Sequence, residues 1–476
     1  MKIKEISKLF LIYIIAHGLS FGLIYAQFYD DVPFLNWDKE VLISVENQKN
    51  IILDSILYIL LFVRSLSAEI YFILSFFLFF FSSLIFNKIV NLFYPITKET
   101  GYLLTVFYLI LPFTLIKFNV SIFFYLLCMY CFLLGWYFII SSRILSLFFF
   151  FISFNMQSLL VLYSLPIISY FFYQKKNNLF CVKEFFFFLK KKIDFFILPF
   201  IFFFIKISFY KPSEYYKNYN ENYDIGNLVI TPIFQFIDLF RNNLSIGFLI
   251  FGCLVAFLIL KYIFAPFNNY IKKNNINALV PIIGLAASLF PYWILGHVPT
   301  FSSFSSRHQL LLIISTPLFI IYFLNFVKKK YFKISVILIV SLSLSINFQI
   351  YSAYNIEYLK QKKLITYLSD NKNLFYNNNV IVMNDKIKNP IIAHPNNNNQ
   401  VYNNGIFKRV FNNEKHFVIN INEIDAYTEG KLDDKFDGYH LAAQHKRQHN
   451  DYIIILTIES EGYLKIVINQ KNFFLK

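Results

Sequence analysis

The chain has 476 residues, 57% of them hydrophobic and 62 of them phenylalanine, with a strongly positive mean hydropathy. That composition excludes a soluble globular protein and predicts a polytopic α-helical membrane protein. The net charge is +16, yet residues 351–476 hold 16 Lys+Arg against 13 Asp+Glu, which leaves 28 against 15 in residues 1–350. The basic excess therefore orients membrane helices, and no nucleic-acid partner is expected.

Lys2, Lys4 and Lys8 precede a first apolar span, Leu9 to Gln27. It reads as an uncleaved membrane helix, because its apolar region is long and Ile24-Tyr25-Ala26 is a poor cleavage site. Directly after it comes Phe28-Tyr29-Asp30-Asp31-Val32-Pro33-Phe34-Leu35-Asn36-Trp37-Asp38, which places two adjacent carboxylates and a tryptophan at the membrane edge. Carboxylates are excluded from hydrocarbon but function at its border. Ile51 to Val63, bracketed by Asp54 and Arg64, is short for a crossing and reads as interfacial. If it does cross, residues 144–173 cross once instead of twice, and every later segment keeps its side.

Further spans are expected at Ile70–Phe86, Tyr102–Ile116, Val120–Ser141, Ile193–Phe209, Leu244–Ile263, Ala278–Leu295, His308–Phe326 and Tyr331–Ile350. The apolar region between Arg143 and Lys175, interrupted by Ser153-Phe154-Asn155-Met156-Gln157, is expected to form two short helices dipping in and out. Together these make about eleven membrane helices. Cys128-x-x-Cys131 imitates a redox or metal pair, but inside an apolar helix it reads as packing.

The distribution of basic residues sets the orientation. With the N-terminus inside, the cytoplasmic face receives Lys88, Lys98, Arg143, the cluster from Lys175 to Lys192, Lys272, Lys273, and Lys328 to Lys330 with Lys333. The opposite face receives three loops: Phe28 to Glu69, Tyr210 to Asn243, and Gly296 to Ser306. After Ile350 the pattern changes to a helix, Tyr351 to Leu368, followed by strand-like runs at Val380–Met383, His416–Ile421, Tyr452–Ile458 and Tyr463–Asn469. Residues 1–350 are thus expected to be a transmembrane domain and residues 351–476 a small extracytoplasmic α+β domain.

The outer loops concentrate polar chemistry. Lys211 and Arg241 lie in the second loop, and His297, Arg307, His308 and Gln309 surround the third, while Lys206 sits near the outer end of its span. Cations there run against the positive-inside trend, and a phosphate at the membrane surface would explain them. Arginine offers a planar fork for phosphate oxygens and lysine a point charge. For Arg307 the plainer role is to anchor a helix end, and for the histidines and Trp37 to fill interfacial positions. His440, His445 and His449, with Asp437, imitate a zinc set, but His440 is off the shared face and Lys446 and Arg447 oppose a cation. No metal site is assigned.

An inside N-terminus, a first outer loop opening on Asp30-Asp31, about eleven spans and a C-terminal outer domain together resemble the glycosyltransferase C superfamily. The segments Pro291 to Pro299 and Phe304 to Leu310 are also similar to segments of bacterial surface-polysaccharide glycosyltransferases. The resemblance implies an enzyme of the bacterial plasma membrane that takes a sugar from a polyprenyl-phosphate donor at the outer face. The acceptor is a glycan, a lipid or a protein. Asp31, or Asp30 beside it, is then the base or the ligand of a divalent cation, and the cofactor is left open. Arg307, His308, Lys211, Arg241 and Lys206 hold the donor phosphate, and His297, Trp37 and Gln309 contact substrate. Physically, the acceptor hydroxyl needs a base and the departing phosphate needs charge stabilisation. A surface-polysaccharide polymerase, a flippase of lipid-linked oligosaccharides and a membrane anchor for the C-terminal domain are the alternatives.

Overall fold

A computed structural model describes residues 3–26, 68–113, 117–118, 120–175, 181–209, 224, 226–228, 230–232, 246–263, 277–297, 304–375, 380–386, 400–411, 417–421, 424, 453–460 and 464–471. Among them, three helices are long and apolar enough to cross a membrane: Ile3–Leu23, Glu69–Phe93 and Lys330–Asp370. Shorter apolar helices pack around them.

Helix α1 (Ile3–His17) passes into a 3-10 segment, Gly18–Leu23. Helices α2 (Ala68–Phe93) and α3 (Lys98–Ile110) form an antiparallel pair joined by polar side chains. Asn87 Nδ2 donates to the Gly101 carbonyl at 3.0 Å and to Thr105 Oγ1 at 2.7 Å, and the Ser82 and Tyr108 hydroxyls lie 2.8 Å apart. Each buried polar group thereby meets a partner that hydrocarbon cannot supply. Thr97 caps α3 by accepting the Thr100 N–H at 3.3 Å. At the other end Leu111 is extended, as a residue before proline must be, so α3 stops at Ile110 and not at the expected Ile116.

Helices α4 (Val120–Phe138) and α5 (Arg143–Ser153) pack closely because Gly135 has no side chain. A Cβ there would lie 2.9 Å from the Phe150 ring, and Ser146 Oγ donates to the Gly135 carbonyl at 2.7 Å. The expected interruption follows α5, and the chain returns through α6 (Ser158–Leu162) and α7 (Ser164–Lys175). Cys128 and Cys131 are buried in α4 with free thiols. Helix α8 (Val182–Lys191) leads to α9 (Ile193–Phe209), and α10 (Ile246–Ile263) follows. Helices α11 (Leu279–Trp293) and α12 (Leu312–Leu324) form a second antiparallel pair, with the Ser288 and Ser315 hydroxyls 2.9 Å apart. The expected start of that last span, His308, belongs instead to a 3-10 turn, Phe304–Gln309.

One end of the bundle gathers the basic residues. Arg143 pairs with Asp194 and Lys175 with Glu184, while Lys88 lies over the Tyr137 ring and Lys192 over Tyr170. From this basic end rises α13 (Lys329–Asp370), 42 residues without a break. The expected span Tyr331–Ile350 and the expected helix after it are one element. Its Tyr351, Ala353 and Tyr354 belong to the core of the bundle, whereas Leu364 and Leu368 belong to a second core. The change of core falls beyond residue 350.

That second core also contains Phe375 from α14 (Lys372–Phe375) and Ile406, Phe407 and Val410 from α15 (Gln400–Phe411). They cover strands β1 (Val380–Asp385), β2 (Phe417–Asn420), β3 (Ile453–Ser460) and β4 (Leu464–Lys471). The spatial order is β2-β1-β3-β4. β1 runs parallel to β2 and β3, with Val382 opposite Ile419 and Ile455, and β4 closes the edge antiparallel to β3.

Candidate functional site

Two polar clusters occupy the end of the bundle opposite the basic one. The first is built where α11 ends. Gly296 has φ of +70°, a left-handed conformation that side chains disfavour, and it reverses the chain so that the His297 N–H reaches the Tyr292 carbonyl at 3.0 Å. The preceding loop packs on the same turn, with the Asp224 N–H donating to the Ile294 carbonyl at 3.3 Å. The 3-10 turn then brings His308 back over this corner. The His297 and His308 rings stack parallel with centroids 5.1 Å apart, and the Tyr292 ring lies 4.8 Å from His308. Tyr292 donates to Ser158 Oγ at 3.2 Å and so ties the cluster to α6 just after the chain interruption.

Burial, and then the positive charge of Arg307, hold His297 below the ordinary histidine value. The same two causes, with His297 added, push His308 well below it. Both rings are therefore neutral hydrogen-bonding groups at neutral pH, and Arg307 supplies the charge. Gln309 is completely buried, and neither its Nε2 nor its Oε1 has a hydrogen-bond partner among the described residues. An unmet buried amide is costly to keep. Lys206 is half-buried near the end of α9. Four of the residues singled out in the sequence, His297, Arg307, His308 and Gln309, thus belong to one corner of the fold. Asp30, Asp31, Trp37, Lys211 and Arg241 lie outside the described residues, as do Asp437, His440, His445 and His449. Among the described residues no group of three His, Cys, Asp or Glu could hold a metal ion.

The second cluster was not singled out in the sequence. His17, the last residue of α1, is fully buried, with Nδ1 2.8 Å from the Tyr351 hydroxyl on α13 and Nε2 2.7 Å from the Leu109 carbonyl on α3. A carbonyl only accepts, so Nε2 carries the proton and Nδ1 accepts from Tyr351. Lys117, in the connection between α3 and α4, is also fully buried; its Nζ lies 3.4 Å from His17 Nε2 and 4.2 Å from the centre of the Phe79 ring. One turn before Tyr351, Asn347 donates to the Ile110 carbonyl at 2.8 Å, while its own Oδ1 has no partner among the described residues. The signal available in the sequence was Lys117 itself, a cation in a three-residue gap between expected spans on the face where cations are rare.

These polar clusters share the end of the bundle at which α1 and its 3-10 segment finish, shortly before Ala26. Compared with known proteins, the chain matches no family model, no curated protein and no solved structure.

Proposed function

We propose that the protein is a membrane glycosyltransferase of the glycosyltransferase C type. In this proposal it transfers a sugar from a polyprenyl-phosphate donor to a glycan, lipid or protein acceptor at the extracytoplasmic face of a bacterial plasma membrane. The observation that carries the proposal is the corner formed by His297, His308 and Arg307 at the bundle end opposite the basic residues. By the positive-inside rule, the basic end is cytoplasmic and this corner is outside.

The division of labour follows from the chemistry. Arg307 presents a fork of donors to the leaving phosphate, the two neutral imidazoles add hydrogen bonds, and the unmet amide of Gln309 is available to a sugar hydroxyl. Asp31 or Asp30 takes the proton from the acceptor hydroxyl, either directly or through a divalent cation. About eleven crossings and a C-terminal extracytoplasmic domain complete the architecture.

Transfer from a polyprenyl-phosphate sugar in proteoliposomes tests the proposal. Arg307→Ala is expected to raise the donor concentration required by about tenfold or more. Unchanged donor dependence in Arg307→Ala would remove Arg307 from the donor site.

A transporter of lipid-linked oligosaccharide is the second reading. One observation favours it, the complete burial of His17 and Lys117 among apolar helices, because ionisable groups inside membrane proteins often line transport paths. Movement of labelled lipid-linked sugar across the bilayer without transfer would select it.

A further inference from the structure

We propose that Lys117, backed by His17 and Tyr351, is a binding site for the phosphate group of a lipid anion that enters the bundle from the membrane. The ligand named here rests on the transferase proposal, but the residues are different from the Arg307 corner.

Lys117 is fully buried and no carboxylate pairs with it among the described residues. Its nearest polar neighbour, His17 Nε2 at 3.4 Å, already spends its proton on the Leu109 carbonyl and offers no lone pair. The Phe79 ring beneath Nζ, at 4.2 Å, gives a cation–π contact that only partly offsets the loss of water. A buried cation in this position is costly unless an anion completes it. Phosphate is suited to the task, since its oxygens accept all three ammonium protons. Burial holds the Lys117 amine well below the ordinary lysine value, and a phosphate bound here would favour the charged ammonium through charge-assisted hydrogen bonds.

The imidazole beside Lys117 is itself held in place. Tyr351 fixes the His17 ring from α13, Leu109 fixes it from α3, and Asn347 ties α13 to Ile110. His17 is followed at once by the 3-10 segment Gly18–Leu23, whose Leu19 and Phe21 are exposed, so an apolar tail has a surface to lie on beside the buried pair. A soluble phosphate gains nothing from that surface. A lipid-linked one does.

The test is binding to the full-length protein in phosphatidylcholine nanodiscs, measured with three probes: a polyprenyl phosphate, the uncharged polyprenol and inorganic phosphate. The polyprenyl phosphate is expected to bind at least about tenfold more tightly than either of the others. With the other phosphate site removed by Arg307→Ala, Lys117→Met is expected to lose that preference, and Lys117→Arg to keep most of it. Should Lys117→Met fail to fold, Lys117→Gln, which keeps a polar tip without the charge, carries the same expectation. Equal binding of polyprenol and polyprenyl phosphate by the unaltered protein, or unchanged binding by either uncharged variant, overturns the proposal. Stronger binding of inorganic phosphate than of the lipid also overturns it. Sugar transfer with unchanged lipid binding in Lys117→Met would defeat this site and leave the transferase standing. Lys117-dependent binding without any transfer would do the reverse.

Discussion

At the scale of single residues, the histidine corner makes a prediction about pH. His297 and His308 take up protons less readily in the folded chain than in an unfolded one, where their value is near 6.5. Above that pH both states are neutral and nothing changes. Below it the unfolded chain binds more protons, so stability falls on the acid side. Thermal unfolding from about pH 8 to about pH 5 is expected to show this loss, and His308→Gln to flatten it. An acid dependence identical in His308→Gln and the unaltered protein would assign it to other groups. This corner was legible in the sequence because its cations stand against the positive-inside trend, as Arg307 does. The buried pair was not, because His17 and Lys117 are 100 positions apart and only the packing of α1, α3 and α13 joins them.

At the scale of elements, close packing depends on small residues. A Cβ on Gly252 of α10 would run into the Ser345 hydroxyl and lie 2.7 Å from the Ser341 carbonyl of α13. Small side chains of this kind bring membrane helices into contact where no hydrophobic force draws them together. Gly252→Leu is expected to cost about 1–3 kcal/mol through overpacking and to separate α10 from α13. Its measure is unfolding in detergent, and a stability equal to that of the unaltered protein would place the pair further apart than described. Apolar length located the helices well, including the interruption after α5, because hydrocarbon tolerates little else. Helix ends were less legible. Pro112 ends α3 early, and Phe304–Gln309 winds as a 3-10 turn ahead of α12. Helix α15 was missed because Asn403, Asn404 and Gly405 interrupt its pattern, although Ile406, Phe407 and Val410 supply a buried stripe.

At the scale of the whole molecule, two apolar cores share one helix. Leu456 belongs to the second core, and in the sheet register it pairs with Met383 on β1 and Ile468 on β4. Leu456→Ala is expected to cost about 2–5 kcal/mol locally, so amide hydrogen exchange should quicken in β1, β3 and β4 while α2 to α5 keep their protection. Uniform loosening of both regions would make them a single cooperative unit. The four strands were legible as short strand-like runs, but their order was not, because a parallel pairing such as β1 with β3 joins residues about 70 positions apart.

The proposed activity joins these scales, since it requires an acidic first loop, a cationic corner and a membrane-embedded donor to meet at one end of the bundle. The most direct measurement is sugar transfer from a polyprenyl-phosphate donor by purified protein in liposomes, comparing the unaltered chain with the Asp30→Asn, Asp31→Asn double variant at equal protein amounts. Loss of the base is expected to slow transfer by about a hundredfold or more. Transfer at the unaltered rate by the double variant would contradict the account.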